Sequence, residues 1–275
     1  MKKTSELLIL IPERFYSEGS FYNRIYQKMA GELEKAGFIP VLDIVSRENE
    51  DNGAVPEELS RGSVMQCVLI GEMRSSYIEK LLSTGGKLIF FDFVNEEFDV
   101  DSITGDNIHG AYSLTRHLAG KGYKKIAFVG SYKATRSILD RLMGYLKFLL
   151  AKDMEINNRW IIPDRDKNGY LIEQHLPVEM PEAFICCSDE TAYRLIDSLQ
   201  KYGYKVPENI EVAGYDDYAE HVIEGVRFTT WHVNTDEMIR QCVFIVSRRA
   251  EDPGYRHGNI SVNGYLVEHL SDGKE

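Results

Sequence analysis

Ile210–Asp217, IEVAGYDD, is a β-branched apolar run that stops at Gly214 and delivers an aromatic and two adjacent carboxylates. A run of that kind is a buried strand whose carboxyl end opens on the crevice where a parallel α/β sheet gathers its ligand-facing residues. The same arrangement recurs upstream in LLILIPE (Leu7–Glu13), KIAFVGS (Lys125–Ser131) and FICCSDE (Phe184–Glu190). Several strands ending in small or polar residues point to one shared pocket.

The intervening segments supply the helices. Leu7–Ile11 predicts a strand buried on both faces, and Ser20 caps a helix over Phe21–Ala36 with Ile25, Met29 and Leu33 at helical spacing. Gly37 ends that helix; Phe38–Val45 is a second strand, Val55–Leu59 a short helix, and Cys67–Ile70 a strand tipped by Gly71 and Glu72. Ser76–Leu82 is helical and Lys87–Asp92 a fourth strand, before a loop carrying DVDSITGDN and a helix over Ile108–Ala119. Alternation of this kind means a parallel, doubly wound sheet.

The pattern then restarts with strand Lys125–Gly130 and a helix over Ser137–Ala151, with Leu139, Leu142, Leu146 and Leu149 on one stripe. A short strand at Trp160–Pro163, a weak helix at Gly169–His175, strand Ala183–Cys187, helix Glu190–Tyr202 and strand Ile210–Gly214 follow. Strand Phe228–Val233, helix Thr235–Arg249 and a final strand Ile260–Glu268 complete the second half. Two similar halves predict two α/β lobes with a cleft between them.

At 275 residues the chain has length enough for two such lobes. Its net charge of −11 argues against gripping nucleic acid by itself, because phosphate neutralisation needs a basic face. Cys67, Cys186, Cys187 and Cys242 lack zinc-type spacing, and the vicinal pair suits a buried strand, so a reducing, cytoplasmic setting is expected. The opening MKKTSELLILIP has too short an apolar stretch for a signal peptide, and no run approaches transmembrane length.

Enzyme signatures are missing: there is no G-x-G-x-x-G after the first strand, no phosphate-binding G-x-x-x-x-G-K-[ST], no H-E-x-x-H and no G-x-S-x-G. Ser188, His109 and Asp216 make a Ser/His/Asp set only by assembly in space, with no motif behind it. The expectation is a non-enzyme without cofactor or metal. Asp216–Asp217 suits a carboxylate dyad, a metal site or a hydroxyl acceptor, yet no third metal ligand stands at useful spacing. The favoured division has Asp216 accepting ligand hydroxyls and Asp217 structural, with a turn cap as the alternative. Ser188 is a helix N-cap or a ligand contact. Arg141, one turn beyond Ser137, is a snorkelling surface arginine or a fork for hydroxyl, carboxylate or phosphate oxygens. Phe21, Tyr22 and Tyr170 are core residues or a platform for a sugar ring or base.

Four stretches in series resemble the effector-binding core of lactose-repressor-type (LacI/GalR) transcriptional regulators. They are Asp99–Gly130, SILDRLMGYLKFL (Ser137–Leu149), Cys186–Asp217 ending in VAGYDD, and FTTWHVNTDEM (Phe228–Met238). The resemblance implies a type I periplasmic-binding-protein fold, with residues 1–121 and 235–258 as the N-terminal lobe and 122–234 and 259–275 as the C-terminal lobe. Three crossovers would join the lobes and a sugar-like effector would sit in the cleft. It also implies a homodimer that couples effector binding to operator DNA. Carried over by position, Phe21 and Tyr22 match an aromatic wall on the N-terminal lobe, and His109 a cleft position. Ser137 and Arg141 match the ligand-facing serine and the arginine of R-L-x-G, Tyr170 an aromatic closing over the ligand, and Asp216 the acceptor of G-[YF]-D-D. Ser188 replaces the usual asparagine of A-N-D.

The chain departs from the family elsewhere too. His232–Val233 stands where a basic-Gln pair is usual, and Phe93 follows Asp92 where an arginine is common. Family regulators begin with a helix-turn-helix headpiece and a hinge helix, whereas here the first strand starts almost at Met1. The chain is therefore expected to be a fragment without its DNA reader. The alternative is a sugar-transporter solute-binding protein, which shares the fold but requires export.

Overall fold

The computed structural model describes residues 5–17, 20–219, 223, 226, 228–252 and 254–269. Its secondary structure opens with β1 (Ser5–Pro12), buried from Leu7 onward, which Pro12 passes into a single 3-10 turn over Glu13–Phe15. Helix α1 (Phe21–Lys35) starts where the Ser20 hydroxyl accepts from the Asn23 N–H at 3.2 Å, and it buries Ile25, Met29 and Leu33. Then come β2 (Phe38–Val45), α2 (Arg47–Asn52), α3 (Glu57–Ser60), β3 (Gln66–Ile70), α4 (Ser75–Ser83), β4 (Lys87–Phe91) and β5 (Asp101–Gly105). Near the end of the chain, α8 (Thr235–Glu251) and β11 (Asn259–Val262) join the same unit.

The sheet of this first unit has six strands, ordered β11-β5-β4-β3-β1-β2, all parallel. Side chains alternate across it. Leu8, Leu10, Leu69 and Phe90 share one core cluster with Tyr77, Ile78 and Leu81 of α4, while the intervening Leu7, Ile9 and Ile11 are equally buried.

The second unit contains α5 (Asn107–Gly120), β6 (Ile126–Val129), α6 (Arg136–Ala151), β7 (Ile161–Ile162), β8 (Ala183–Cys186), α7 (Asp189–Lys201), β9 (Glu211–Asp216), β10 (Phe228–His232) and β12 (Tyr265–His269). Its sheet runs β12-β10-β9-β8-β6-β7 and is parallel except for the β10–β12 pair. Two parallel-dominated sheets wound with alternating helices are the architecture expected from the sequence.

Several local expectations are corrected. DVDSITGDN is not all loop, since Asp101–Gly105 is β5, paired with β4 and β11. Gly169–His175 is not helical. Gly169 has φ +89°, and the Asp166 carboxylate accepts from the N–H groups of Asn168 (2.8 Å) and Tyr170 (3.0 Å), which closes a turn instead. Ile260–Glu268 is two strands in different sheets, separated at Asn263–Gly264. On α6 the buried stripe is Ile138, Arg141, Leu142, Tyr145, Phe148 and Leu149, leaving Leu139 exposed.

The chain passes between the units after Gly105, Asn234 and Val262. These boundaries differ from the expected ones at two places. Residues 106–121 fall in the second unit because α5 packs along α6, and residues 259–262 fall in the first because β11 pairs with β5. His109, expected on the N-terminal lobe, therefore belongs to the second unit.

Candidate functional site

In the second unit the strands β6 to β10 deliver polar residues at their carboxyl ends, and Arg141 projects among them from α6. Only 6% of Arg141 is exposed, so it is not a snorkelling surface residue. Its Nε donates to Asn107 Oδ1 at 2.8 Å and its Nη1 to the Cys187 carbonyl. Its Nη2 lies 3.2 Å from Asp216 Oδ1, and the guanidinium stacks 3.9 Å over the Tyr215 ring. A planar cation with donors on three sides and an aromatic beneath it is a fixed fork rather than a mobile charge.

Asp216 and Asp217 both adopt left-handed backbone, with φ of +101° and +56°. Two successive non-glycine residues there store local strain, and the turn they make points the carboxylates in different directions. Asp216 faces Arg141. Asp217 is held by His232 Nδ1 at 2.8 Å and His269 Nε2 at 2.5 Å, and its N–H donates to the Thr230 hydroxyl at 3.3 Å.

At the tip of β8, Ser188 caps α7: its Oγ accepts from the Thr191 N–H at 3.1 Å and donates to Thr191 Oγ1 at 2.9 Å. Its neighbour Asp189 is buried and accepts from the Thr230 hydroxyl at 2.6 Å and the Tyr218 N–H at 2.8 Å. Burial, with help from Asp216 and Asp217, pushes the Asp189 carboxyl well above its usual range despite those bonds.

Ser137 lies buried in the first turn of α6, whose cap is Thr135. His109 is exposed near the start of α5, its ring edge-on to Trp231 at 5.8 Å and its Nε2 3.5 Å from Ser113 Oγ. Tyr170 is half exposed on the 166–170 turn, and among the described residues no hydrogen bond or ring contact joins its side chain to Arg141 or Asp216. Sequence reasoning passed over Asp164 and Arg165, which follow β7 at a strand end that carries no motif, and it gave no site role to Asn107 or to Cys187, although Cys187 lies in FICCSDE where the resemblance has an alanine.

In the first unit, Phe21 and Tyr22 open α1 with ring centroids 5.5 Å apart, and Phe15 adds a third ring 5.6 Å from Tyr22. The Tyr22 hydroxyl donates to Asp92 Oδ2 at 2.7 Å, and Asp92 sits past the end of β4 in left-handed backbone. Gly71, past β3, has φ +82°, which favours glycine, and a Cβ there would crowd the Phe15 ring at 3.0 Å and Tyr22 at 3.3 Å. The missed residue Phe15 is fixed by Arg14, which stacks 4.7 Å over it and is itself tied to buried Glu50 of α2. Phe93, in place of the arginine the resemblance favours, is buried and stacked on Phe90 at 4.5 Å.

The profile of the periplasmic binding protein-like domain matches residues 115–271, more than half of the chain. The chain belongs to that family, in its LacI/GalR form. The HTH-type transcriptional repressor PurR of Histophilus somni is 28% identical over 174 residues, which covers 62% of this chain and 52% of that protein. The uncharacterized HTH-type transcriptional regulator YvdE of Bacillus subtilis is 25% identical over 236 residues, covering 84% of this chain and 74% of YvdE. Among solved structures, the transcriptional regulator CelR in complex with cellobiose superposes with a TM-score of 0.79 at 22% identity, over 96% of this chain and 84% of that one. A regulatory protein of the LacI family from Chloroflexus aggregans gives 0.78 at 16% identity, over 97% and 98%. These likenesses establish the fold of the periplasmic binding protein-like domain for nearly all of the chain. The domain spans about half the length of the PurR proteins it matches. Among the described residues no helix is long and apolar enough to cross a membrane, and no group of His, Cys, Asp and Glu is arranged to hold a metal.

Proposed function

We propose that this chain is the effector-binding and dimerisation part of a cytoplasmic LacI-type transcriptional regulator, and that it senses a small, sugar-like molecule without catalysing a reaction. The observation that carries the reading is the Arg141–Asp216 pair, nearly buried at the strand tips on a strained turn and therefore set in place before any ligand arrives. A guanidinium and a carboxylate side by side hydrogen-bond a hydroxyl from both directions, since one donates and the other accepts. Ser137, Ser188 and His109 complete the second unit's contribution, with Tyr170 as a further contact from its turn. The Phe21–Tyr22 platform of the first unit supplies the stacking surface.

In this proposal the effector binds more tightly to one arrangement of the two units than to another, and a homodimer passes that preference to operator DNA through an N-terminal helix-turn-helix headpiece. The cellobiose bound by CelR supports a sugar as the first effector class to test. The matched relatives are named as transcriptional regulators, which favours this reading over the transporter alternative.

The test is a thermal-shift panel of sugars, sugar phosphates, nucleosides and amino acids, followed by calorimetry on any hit. Arg141→Ala and Asp216→Ala should each weaken the hit by at least about 1.5 kcal/mol, the scale of a lost charge-assisted hydrogen bond. Unchanged affinity in both folded variants would remove the pair from the site.

A further inference from the structure

A second Arg–Asp pair stands at the strand tips of the same unit. Asp164 and Arg165 follow β7, with Arg165 Nη1 2.5 Å from Asp164 Oδ2. Cys187 joins this pair to the first: its carbonyl accepts from Arg141, while its thiol lies 3.6 Å from Arg165 Nη1 and 3.2 Å from Asp164 Oδ2. Both guanidinium groups therefore touch one residue at the tip of β8.

The two pairs present different chemistry. The Asp216 side chain keeps 13% of its surface exposed beside Arg141, so that pair offers a donor and an acceptor together. Asp164 is wholly buried. Its Oδ1 accepts from the Ser131 N–H at 2.7 Å, and its Oδ2 from Arg165, the Thr191 hydroxyl (2.8 Å) and the Cys187 thiol. Burial alone would raise this carboxyl, but the Arg165 guanidinium and those hydrogen bonds hold it below the usual carboxylate range. Asp164 is thus a permanent anchor with no reach to solvent. Arg165, with 17% of its side chain exposed, is the member of the pair that reaches out.

An arm made of guanidinium donors, with its acceptor sealed away, favours a ligand oxygen that accepts without donating; a carboxylate or a phosphate meets that condition best. We propose that Arg165, fixed by Asp164, is a second effector-binding residue, and that the effector is a sugar acid or sugar phosphate. Its hydroxyl-bearing part is held at Arg141–Asp216 and its anionic group at Arg165. This inference rests on the effector-site reading above.

The experiment is isothermal calorimetry of the full chain with matched sets: glucose, glucuronate and glucose 6-phosphate; galactose, galacturonate and galactose 6-phosphate; ribose and ribose 5-phosphate. At least one acidic member should bind about tenfold or more tighter than its neutral parent, as one charge-assisted contact provides. Which member does so separates carboxylate from phosphate. In Arg165→Gln that preference should fall to within about twofold, because the charge-assisted fork is gone. A structural role for Arg165 would instead lower every affinity alike and leave the preference intact, and that result overturns the proposal. If Arg165→Gln fails to fold, Arg165→Lys keeps a charge beside Asp164 but loses the fork, and it should reduce the preference by about threefold or more. An undiminished preference in that variant overturns the proposal as well. Neutral sugars binding as tightly as their acids defeat this inference while leaving the effector-site reading standing. Silence across all the sets defeats both.

Discussion

Asp189 shows how a single buried residue ties the site to pH. The folded state holds its proton more tightly than the unfolded chain does, so the folded protein binds more protons across the interval between the two pKa values. Stability must therefore decline as pH rises from the ordinary carboxylate range toward the raised value. Asn at this position cannot ionise. Asp189→Asn should flatten that decline and stay within about 1 kcal/mol of the parent at neutral pH, because one amide oxygen and a rotated Thr230 hydroxyl retain part of the bonding. Thermal midpoints measured from pH 5 to pH 8 decide it, and a slope equal to the wild type would show that Asp189 is already ionised. The sequence offered Asp189 only as the residue that follows the Ser188 cap. Its burial arises from Thr230 and Tyr218, which are remote in the chain. Arg141 was similar. Its spacing from Ser137 placed it on α6, but nothing local separated a solvated arginine from one closed in by Asn107, Cys187 and Tyr215.

Among elements, the strands and helices with apolar periodicity were legible nearly to the residue. β2 spans Phe38–Val45 as its pattern predicts, and α1 begins at its Ser20 cap. Two of the misses, α2 and β5, share a cause, which is that non-local partners decide them. Helix α2, RENEDN, has no apolar face; its one buried side chain is Glu50, held by Arg14 from the tip of β1. Strand β5 begins at Asp101, which is buried against Arg249 and accepts from the Gly258 N–H, both far along the chain. The packing of α5 on α6 provides a sharper test. A Cβ on Gly144 would collide with the Ile108 carbonyl and stand 3.0 Å from the Ala111 Cβ. Gly144→Ala should therefore destabilise by about 1–3 kcal/mol in urea titration, the usual range for overpacking. It should also weaken effector binding, since moving α5 shifts Asn107 away from Arg141. Full stability in the variant would mean that the helices yield without loss.

For the molecule as a whole, a net charge of −11 opposes operator DNA in sum, because phosphate neutralisation needs positive charge. The regulator reading therefore places output in association and in a separate headpiece. The purified chain should sediment as a dimer at micromolar concentration, and a clean monomer there would count against that reading. The two-unit plan was visible from the repeated β-α grammar, but the passages between units were not: residues 106–121 and 259–262 change sides because of packing and pairing that no local pattern records. Those passages set an order for biogenesis. The first sheet's edge strand β11 and its helix α8 lie downstream of nearly all of the second unit, so the early-made strands β1 to β5 leave the ribosome without their last partner. Because domains otherwise fold as they emerge, this topology delays completion of the N-terminal unit until translation has passed Val262, with β12 still to follow for the other. A premature stop anywhere in α8 thus leaves both units incomplete, and neither can be produced from one uninterrupted stretch of the gene.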